Sequence, residues 1–295
     1  MKSRRLPTWL RVNQPPAGAV ARIGRHTLGK GLATVCEQAR CPNRGRCFAE
    51  GTATFLILGE SCTRNCAFCA VSHGVPKKVD LEEPQKVAGS VAGLGLKHAV
   101  ITSVTRDDLP DGGASVFAAT VRAIDDRSPG TSVEVLIPDF QGSASALQKV
   151  LDAGPDVVGH NLETIPRLYG TVRRGADYDR SLELLGSVRS VAPGIVTKSG
   201  IMLGLGESRD EVLRVVNDLV RVGCQVLTMG QYLQPTVDHH PVERFVHPDE
   251  FDELKELALD RGILQVAAAP LVRSSFRAGE ILQALRESRS GEGSG

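Results

Sequence analysis

The sequence predicts an α/β protein built on a parallel sheet: an open, partial (β/α)6 barrel with irregular extensions at both ends. Three observations carry this. Between residues 52 and 262, short apolar runs alternate with amphipathic helical stretches six times. The runs are apolar almost throughout rather than at every second residue, as in strands covered on both faces. Residues 1–50 lack this rhythm and are rich in Arg, Pro and Gly. Six units are too few for the common closed eight-unit barrel but suit an open one. The implied organisation is an N-terminal extension over 1–50, a barrel over 51–262 and a C-terminal extension over 263–295.

The elements follow in order. TATFLIL (52–58) reads as the first strand. A cysteine loop follows it. A helix then starts at Asp80, which has capping-box spacing to Glu83, with Val87, Val91 and Leu94 on one face. HAVITSV (98–104) is the second strand, and its helix follows Gly112-Gly113 with Phe117, Val121 and Ile124 inward. VEVLIPD (133–139) and a helix over 143–153, closed by Gly154, make the third unit. DVVGHNLE (156–163) precedes a helix carrying Leu182, Leu185 and Val188. TKSGIMLGLG (197–206) precedes a helix capped by Ser208 and Glu211. QVLTMGQYL (225–233) precedes a helix entered at Pro248, with Phe251, Leu254, Leu257 and Ala258 inward. The Gly/Ser-rich tail over 289–295 reads as disordered.

The 295 residues are 41% hydrophobic and 23% charged, ordinary for a globular protein, and aromatic residues are scarce enough that the core must be aliphatic. A net charge of +1 offers no electrostatic argument for nucleic acid or an anionic membrane. No apolar run is long enough for a signal sequence or a membrane span. The chain therefore reads as cytoplasmic, where thiols stay reduced.

Six of the seven cysteines fall into two triads, Cys36, Cys41, Cys47 and Cys62, Cys66, Cys69. In a reducing compartment such clusters favour metal over disulfide. Cys224 stands alone in an apolar stretch and reads as a small buried residue. The second triad is C-x3-C-x2-C, directly after the first strand. A structural zinc site takes four ligands, typically in two short pairs, and only one such pair is present. Three thiolates on one loop instead match three corners of a 4Fe–4S cluster, leaving one iron for an external ligand. Phe68 could shield such a cluster on one side. A zinc scaffold or an electron-transfer loop is the alternative. Asn161 and Glu163, in HNLET (160–164), alternate with Leu162 at the end of a strand, where ligands gather in parallel α/β folds. An amide beside a carboxylate suits sugar hydroxyls. His239, His240 and His247 have no partner pattern, and a loop and a helix start account for them. RRG (173–175) fits a carboxylate or phosphate contact as well as it fits surface charge.

C-x3-C-x2-C with an aromatic before its last cysteine, after strand one of a partial barrel, resembles the radical S-adenosylmethionine (SAM) superfamily. Cys36-x4-Cys41-x5-Cys47 within CEQARCPNRGRCF resembles, more narrowly, the N-terminal signature of the lipoyl synthase family. So do SVTRDDLPDGGA (103–114), HNLETIPRLY (160–169), LTMGQYLQPT (227–236) and VRSSF (272–276). The likeness runs from about residue 8 to about residue 285. It departs at Phe276, where the family usually has tyrosine.

The resemblance implies a barrel of the radical SAM type, a catalytic cluster on Cys62, Cys66 and Cys69, and an auxiliary 4Fe–4S cluster on Cys36, Cys41, Cys47 and a serine, Ser275 in preference to Ser274. Oxygen is a poorer match than thiolate to iron–sulfide chemistry, so the serine would be the ligand that leaves. SAM would meet Asn161 and Glu163 through its ribose and Arg180 through its carboxylate, by likeness to biotin synthase. Gly204 would let backbone approach the adenine, with Glu207 bracing that turn. Thr105 and Asp107 lie where the superfamily binds the SAM amino group. The implied reaction inserts two sulfurs, at C6 and C8 of an octanoyl chain on a carrier lysine, with the auxiliary cluster as donor. Those C–H bonds offer no acidic proton, so a 5′-deoxyadenosyl radical rather than acid–base chemistry would activate them. The implied partners are octanoylated lipoyl carrier domains (2-oxoacid dehydrogenase E2 subunits and the glycine cleavage H protein), a flavodoxin or ferredoxin as electron donor, and an iron–sulfur carrier. Another sulfur-inserting radical enzyme, such as a methylthiotransferase, would usually carry an additional binding module, and none is visible after residue 285.

Overall fold

The structure, a computed structural model, describes residues 6–11, 24–27, 29, 31–49 and 54–292. An eight-stranded sheet runs in chain order: β1 (Ala33–Thr34), β2 (Thr54–Ile57), β3 (His98–Ser103), β4 (Ser132–Leu136), β5 (Val157–Gly159), β6 (Val196–Leu203), β7 (Val226–Gln231) and β8 (Gln265–Ala268). β1 pairs antiparallel with β2, and every later neighbour is parallel. Among the described residues no pairing joins β8 back to β1, so the barrel is open. The six expected strands are present, although residues 52–53 lie outside the described residues. A seventh parallel strand, β8, falls in what the sequence assigned to the C-terminal extension.

The crossover helices are α3 (Glu83–Leu94), α4 (Ala114–Arg127), α5 (Ala144–Leu151), α7 (Tyr178–Val191, preceded by the one-turn α6, Tyr169–Val172), α8 (Arg209–Arg221) and α9 (Pro248–Asp260). Their buried faces carry the expected side chains. In α8, Val212, Val215, Val216 and Leu219 are buried at helical spacing, and Ser208 with Glu211 forms a reciprocal capping box. Leu257 is the exception in α9, where Phe251, Leu254 and Ala258 are the buried positions. The capping box expected at Asp80 is only half made: Asp80 Oδ1 accepts from Glu82 N–H at 2.9 Å, but Glu83 does not reciprocate. The helix begins at Glu83, whose carboxylate instead accepts from the backbone N–H of Leu58 at 2.7 Å. A tertiary partner has taken the group that a local cap would use.

The N-terminal region is not held by the triad alone. α1 (Val35–Gln38) carries Cys36, α2 (Arg44–Ala49) carries Cys47 and Cys41 lies between them, while Leu32, Ala33 and Cys36 join the aliphatic core around β2–β4. At the other end, residues 289–292 are helical rather than disordered, as part of α10 (Ala278–Glu292); residues 293–295 lie outside the described residues. Leu282 and Leu285 of α10 pack against Val157, Val196 and Val226, the first residues of β5, β6 and β7. The helix therefore seals the lower end of the barrel, each leucine contributing about 2 kcal/mol by burial. Among the described residues no helix is long and apolar enough to cross a membrane.

Because β2–β8 are parallel, their carboxyl ends lie on one edge. The loops leaving that edge carry Cys62–Cys69, Thr105, Asp139, Asn161 and Glu163, Gly204 and Glu207, His239 and His240, and Ser275 in turn.

Candidate functional site

The cysteine loop is closed on itself and tied to β3. Cys62 N–H donates to Ser72 O at 2.8 Å, and Gly74 N–H to Cys62 O at 3.0 Å. The N–H and hydroxyl of Thr63 both donate to Thr105 O, at 3.0 Å each. The sulfur of Cys62 accepts from Thr105 N–H at 3.3 Å and Arg64 N–H at 3.4 Å, which fixes where it stands. Thr105, expected near a ligand amine, thus supports the loop through its backbone.

Arg64 anchors the loop more strongly. Its Nε and Nη2 donate to Asp107 at 2.7 and 2.9 Å, and its Nη1 and Nη2 to Asp139 at 3.1 and 2.6 Å. Burial works to raise the Asp139 carboxyl, but the hydrogen bonds and charge of Arg64 overcome it and hold Asp139 at about 2. Arg180 shares the same carboxylate, Nη1 donating to Asp139 at 3.3 Å. The Asp107 carboxylate is therefore engaged by Arg64, and Arg180 sits one partner away from the cysteine loop.

Burial pushes the Cys66 thiol up to about 11 against the opposing charge of Arg173, and Cys69 up to about 12 against a hydrogen bond from the Val71 backbone. Cys62 adds to the rise at Cys66, and Cys66 and Cys62 both add to the rise at Cys69. Among the described residues no three His, Cys, Asp or Glu side chains draw together around one point, as a single ion requires. Phe68 packs against the aliphatic core around β6 and β7.

At the end of β5, Asn161 Nδ2 donates to Glu163 Oε1 at 3.0 Å. Glu163 has φ +64°, a left-handed conformation costing about 1–2 kcal/mol in a residue with a side chain. Its N–H donates to Gly200 O and its carbonyl accepts from Met202 N–H, at 2.9 and 2.8 Å, which holds the strained turn against β6. Burial raises the Glu163 carboxyl above its ordinary value, with Arg173 and Asn161 opposing. Asn161 Oδ1 is buried without a partner. An orphaned acceptor beside a half-buried carboxylate is a pair short of donors, and a ribose supplies two. The donor set of the adjoining loop, three thiols, is the soft set that takes iron–sulfur clusters. The residues fit both groups.

Gly204 has φ +95°, and a Cβ there would lie 2.2 Å from Gln231 Nε2 and 2.5 Å from Arg244 O. Packing against β7 demands this glycine whatever binds beside it. Glu207 braces the turn as expected, accepting from Gly204 N–H at 2.7 Å and Leu205 N–H at 2.9 Å.

The N-terminal triad is assembled from short helical turns. Cys41 N–H donates to Cys36 O at 3.1 Å and Cys47 N–H to Asn43 O at 2.9 Å. Cys36 is buried, which pushes its thiol up to about 11. The segment bearing Ser274 and Ser275 reaches this region by crossing β7 at Gly230, where a Cβ would lie 2.0 Å from Val272 O. Asn43 Nδ2 donates to Leu271 O at 2.5 Å, and the Phe276 ring lies between the Arg46 and Arg277 guanidinium groups at 5.6 and 5.5 Å. The phenylalanine is used by its faces, so the missing hydroxyl leaves this contact intact.

Sequence reasoning missed several residues. Arg64 and Arg173 are structural members of the site; Arg173 lies 5.4 Å over the Tyr169 ring and donates to Ser181 Oγ at 3.1 Å, so it is not surface charge. His239 and His240, assigned no partner, bond to the cysteine loop. His239 Nε2 lies 3.0 Å from Cys69 O, and His240 N–H donates to Ala67 O at 2.8 Å. Their partners lie about 170 residues away, beyond the reach of spacing rules.

Residues 56–219 match the radical SAM superfamily. Over 277 residues the chain is 54% identical to lipoyl synthase of Desulfotalea psychrophila, covering 94% of this chain and 93% of that one. It is 50% identical over 290 residues to lipoyl synthase of Alkaliphilus metalliredigens, covering 98% and 100%. Among solved structures, methylornithine synthase (PylB) superposes with a TM-score of 0.52 at 15% identity over 75% of this chain and 73% of that one. The [FeFe]-hydrogenase maturase HydG gives 0.55 at 16% identity over 73% and 56%. These distant likenesses speak for the fold. The high, near-full-length identities go further: this chain is an enzyme of the lipoyl synthase family within the radical SAM superfamily, working with S-adenosyl-L-methionine and 4Fe–4S clusters.

Proposed function

We propose that the enzyme inserts two sulfur atoms, at C6 and C8 of an octanoyl group amide-linked to a lysine of a lipoyl carrier domain, completing the lipoyl group. One observation carries the reading furthest: three thiols on the loop after β2 adjoin a half-buried Asn161–Glu163 pair in which the buried Asn161 Oδ1 lacks a partner. Bound there, the cluster and SAM supply a one-electron cleavage of the sulfonium and hence a radical able to take hydrogen from an unactivated carbon. Cys62, Cys66 and Cys69 hold that cluster and leave one iron for SAM. Asn161 and Glu163 receive the ribose hydroxyls, Arg180 the carboxylate and Thr105 the amino group; Gly204 admits the adenine with Glu207 bracing its turn, and Phe68 shields the cluster. Arg64, through Asp107 and Asp139, keeps the thiol loop fixed, so orientation is set before substrate arrives.

Cys36, Cys41, Cys47 and Ser275 hold the auxiliary cluster that donates sulfur. The bond from Asn43 to Leu271 and the Arg–Phe–Arg stack support this, because they draw the serine segment to the first triad. Residues 1–50 and 263–295 then form one functional unit around the barrel of 51–262, although β8 belongs to its sheet. The carrier domains belong to 2-oxoacid dehydrogenases and the glycine cleavage system. A flavodoxin or ferredoxin supplies electrons, an iron–sulfur carrier rebuilds the donor, and the setting is cytoplasmic. Mass spectrometry of an octanoylated lysine peptide after anaerobic turnover tests the proposal. Two added sulfurs are expected; 5′-deoxyadenosine with an unchanged peptide would overturn it.

A further inference from the structure

The cysteine loop is gripped from two sides. Arg64 and Thr63 tie it to the loops after β3 and β4. The opposite grip comes from the segment after β7, to which no role in the reaction has been assigned. That segment is itself arched: Tyr232, 2% exposed, donates its hydroxyl to His240 O at 2.7 Å, and Gln234 Nε2 donates to His239 O at 2.8 Å. From the arch, His240 N–H donates to Ala67 O at 2.8 Å and His240 Nε2 lies 3.2 Å from Leu205 O. His239 Nε2 lies 3.0 Å from Cys69 O. A carbonyl only accepts, so the hydrogen of His239 sits on Nε2. Nδ1 is then an acceptor, and Thr236 Oγ1, 2.8 Å away, donates to it. The ring is held on both edges, in one tautomer and one orientation.

Both carbonyls flanking Phe68 are thereby fixed from a loop about 170 residues away, while Ala67 N–H donates to Val172 O at 2.9 Å on the other side. The sulfur of Cys69 is joined to its own carbonyl only through Cα and Cβ. Holding that carbonyl therefore restricts where the third thiolate can stand. Ligand geometry and hydrogen bonding around the sulfurs are what a protein uses to tune a cluster.

We propose that His239 is a positioning residue of the catalytic loop: its Nε2–H holds the Cys69 carbonyl so that the third thiolate keeps the geometry in which SAM engages the cluster. This rests on the reading of Cys62, Cys66 and Cys69 as cluster ligands. His239→Leu keeps the bulk and removes the donor, whereas His239→Gln can return an N–H to the same place. In the iron-free full-length chain, amide exchange over residues 66–72 should be about fivefold faster in His239→Leu, the factor that corresponds to ~1 kcal/mol of lost hydrogen bonding. In the anaerobically reconstituted enzyme, the change that SAM produces in the EPR signal of the reduced cluster should be diminished. His239→Gln should restore both. Unaltered exchange and an unaltered SAM response in His239→Leu would overturn the proposal, as would a Gln variant no better than Leu. Wild-type enzyme whose cluster ignores SAM would count against the ligand reading instead, and the iron-free exchange would still decide on the brace.

Discussion

The two cysteine triads are built on opposite principles. Cys62, Cys66 and Cys69 lie within eight consecutive residues of one loop, seated at the end of β2 and fastened to the loops after β3, β4 and β7. Cys36, Cys41 and Cys47 span twelve residues over two short helices and the turn between them, and their surroundings are completed only when residues 271–277 arrive from the far end of the chain. The first site is preorganised by a rigid sheet edge. The second depends on two chain segments staying together, an arrangement that would suit the proposed sulfur-donating cluster. What differs is how far each site relies on distant sequence.

The largest expected effects separate the two chemically. Cys62→Ala should abolish SAM cleavage. Cys41→Ala should leave uncoupled cleavage while sulfur insertion stops, each variant retaining about four irons of an expected eight or so. Iron analysis with 5′-deoxyadenosine and product assays checks this; two folded variants failing identically would erase the division of labour.

Next comes the anchor of the first triad. Arg64→Met leaves Asp107 without its cation and the buried Asp139 with Arg180 alone, and should cost about 3 kcal/mol in urea unfolding. The pH dependence has a definite sign. Asp139 is held at about 2, below an unfolded carboxyl near 4, so its contribution is present above about pH 4 and drains away as pH falls toward 2. Wild-type stability should fall across that window, and Arg64→Met should show less of the fall.

Smaller effects probe the latch of the second triad. Asn43→Ala strands the Leu271 carbonyl and should cost about 1–3 kcal/mol, with faster iron loss from the auxiliary site only. Phe276→Ala removes two cation–π contacts and should cost about 1 kcal/mol, while Phe276→Tyr should leave stability within error because the ring faces are kept. Thermal melts and iron retention check both.

The barrel was legible because its signal is local. Apolar runs and helical spacing at Val87, Val91 and Leu94 or at Val212, Val215 and Leu219 report burial without reference to anything distant. β8 escaped because QVAA is four residues long with only Val266 buried, and its pairing with β7 makes it a strand. The capping box expected at Asp80 is only half made because the Leu58 N–H, 25 residues away, takes the Glu83 carboxylate. The tail over 289–292 reads as disordered by composition, yet it continues a helix whose leucines seal the barrel. In the site, the cysteines were visible from spacing, whereas Arg64 looked like any loop arginine until Asp107 and Asp139 stood beside it.

From the sequence alone came the order of strands and helices, the two groups of thiols and the loop that holds each, since these are properties of neighbouring residues. Only the tertiary structure decided which side chains meet: Arg64 with Asp139, Asn43 with Leu271, His239 with Cys69. Such pairs depend on where a curved sheet brings the ends of its strands, and no local pattern specifies that path.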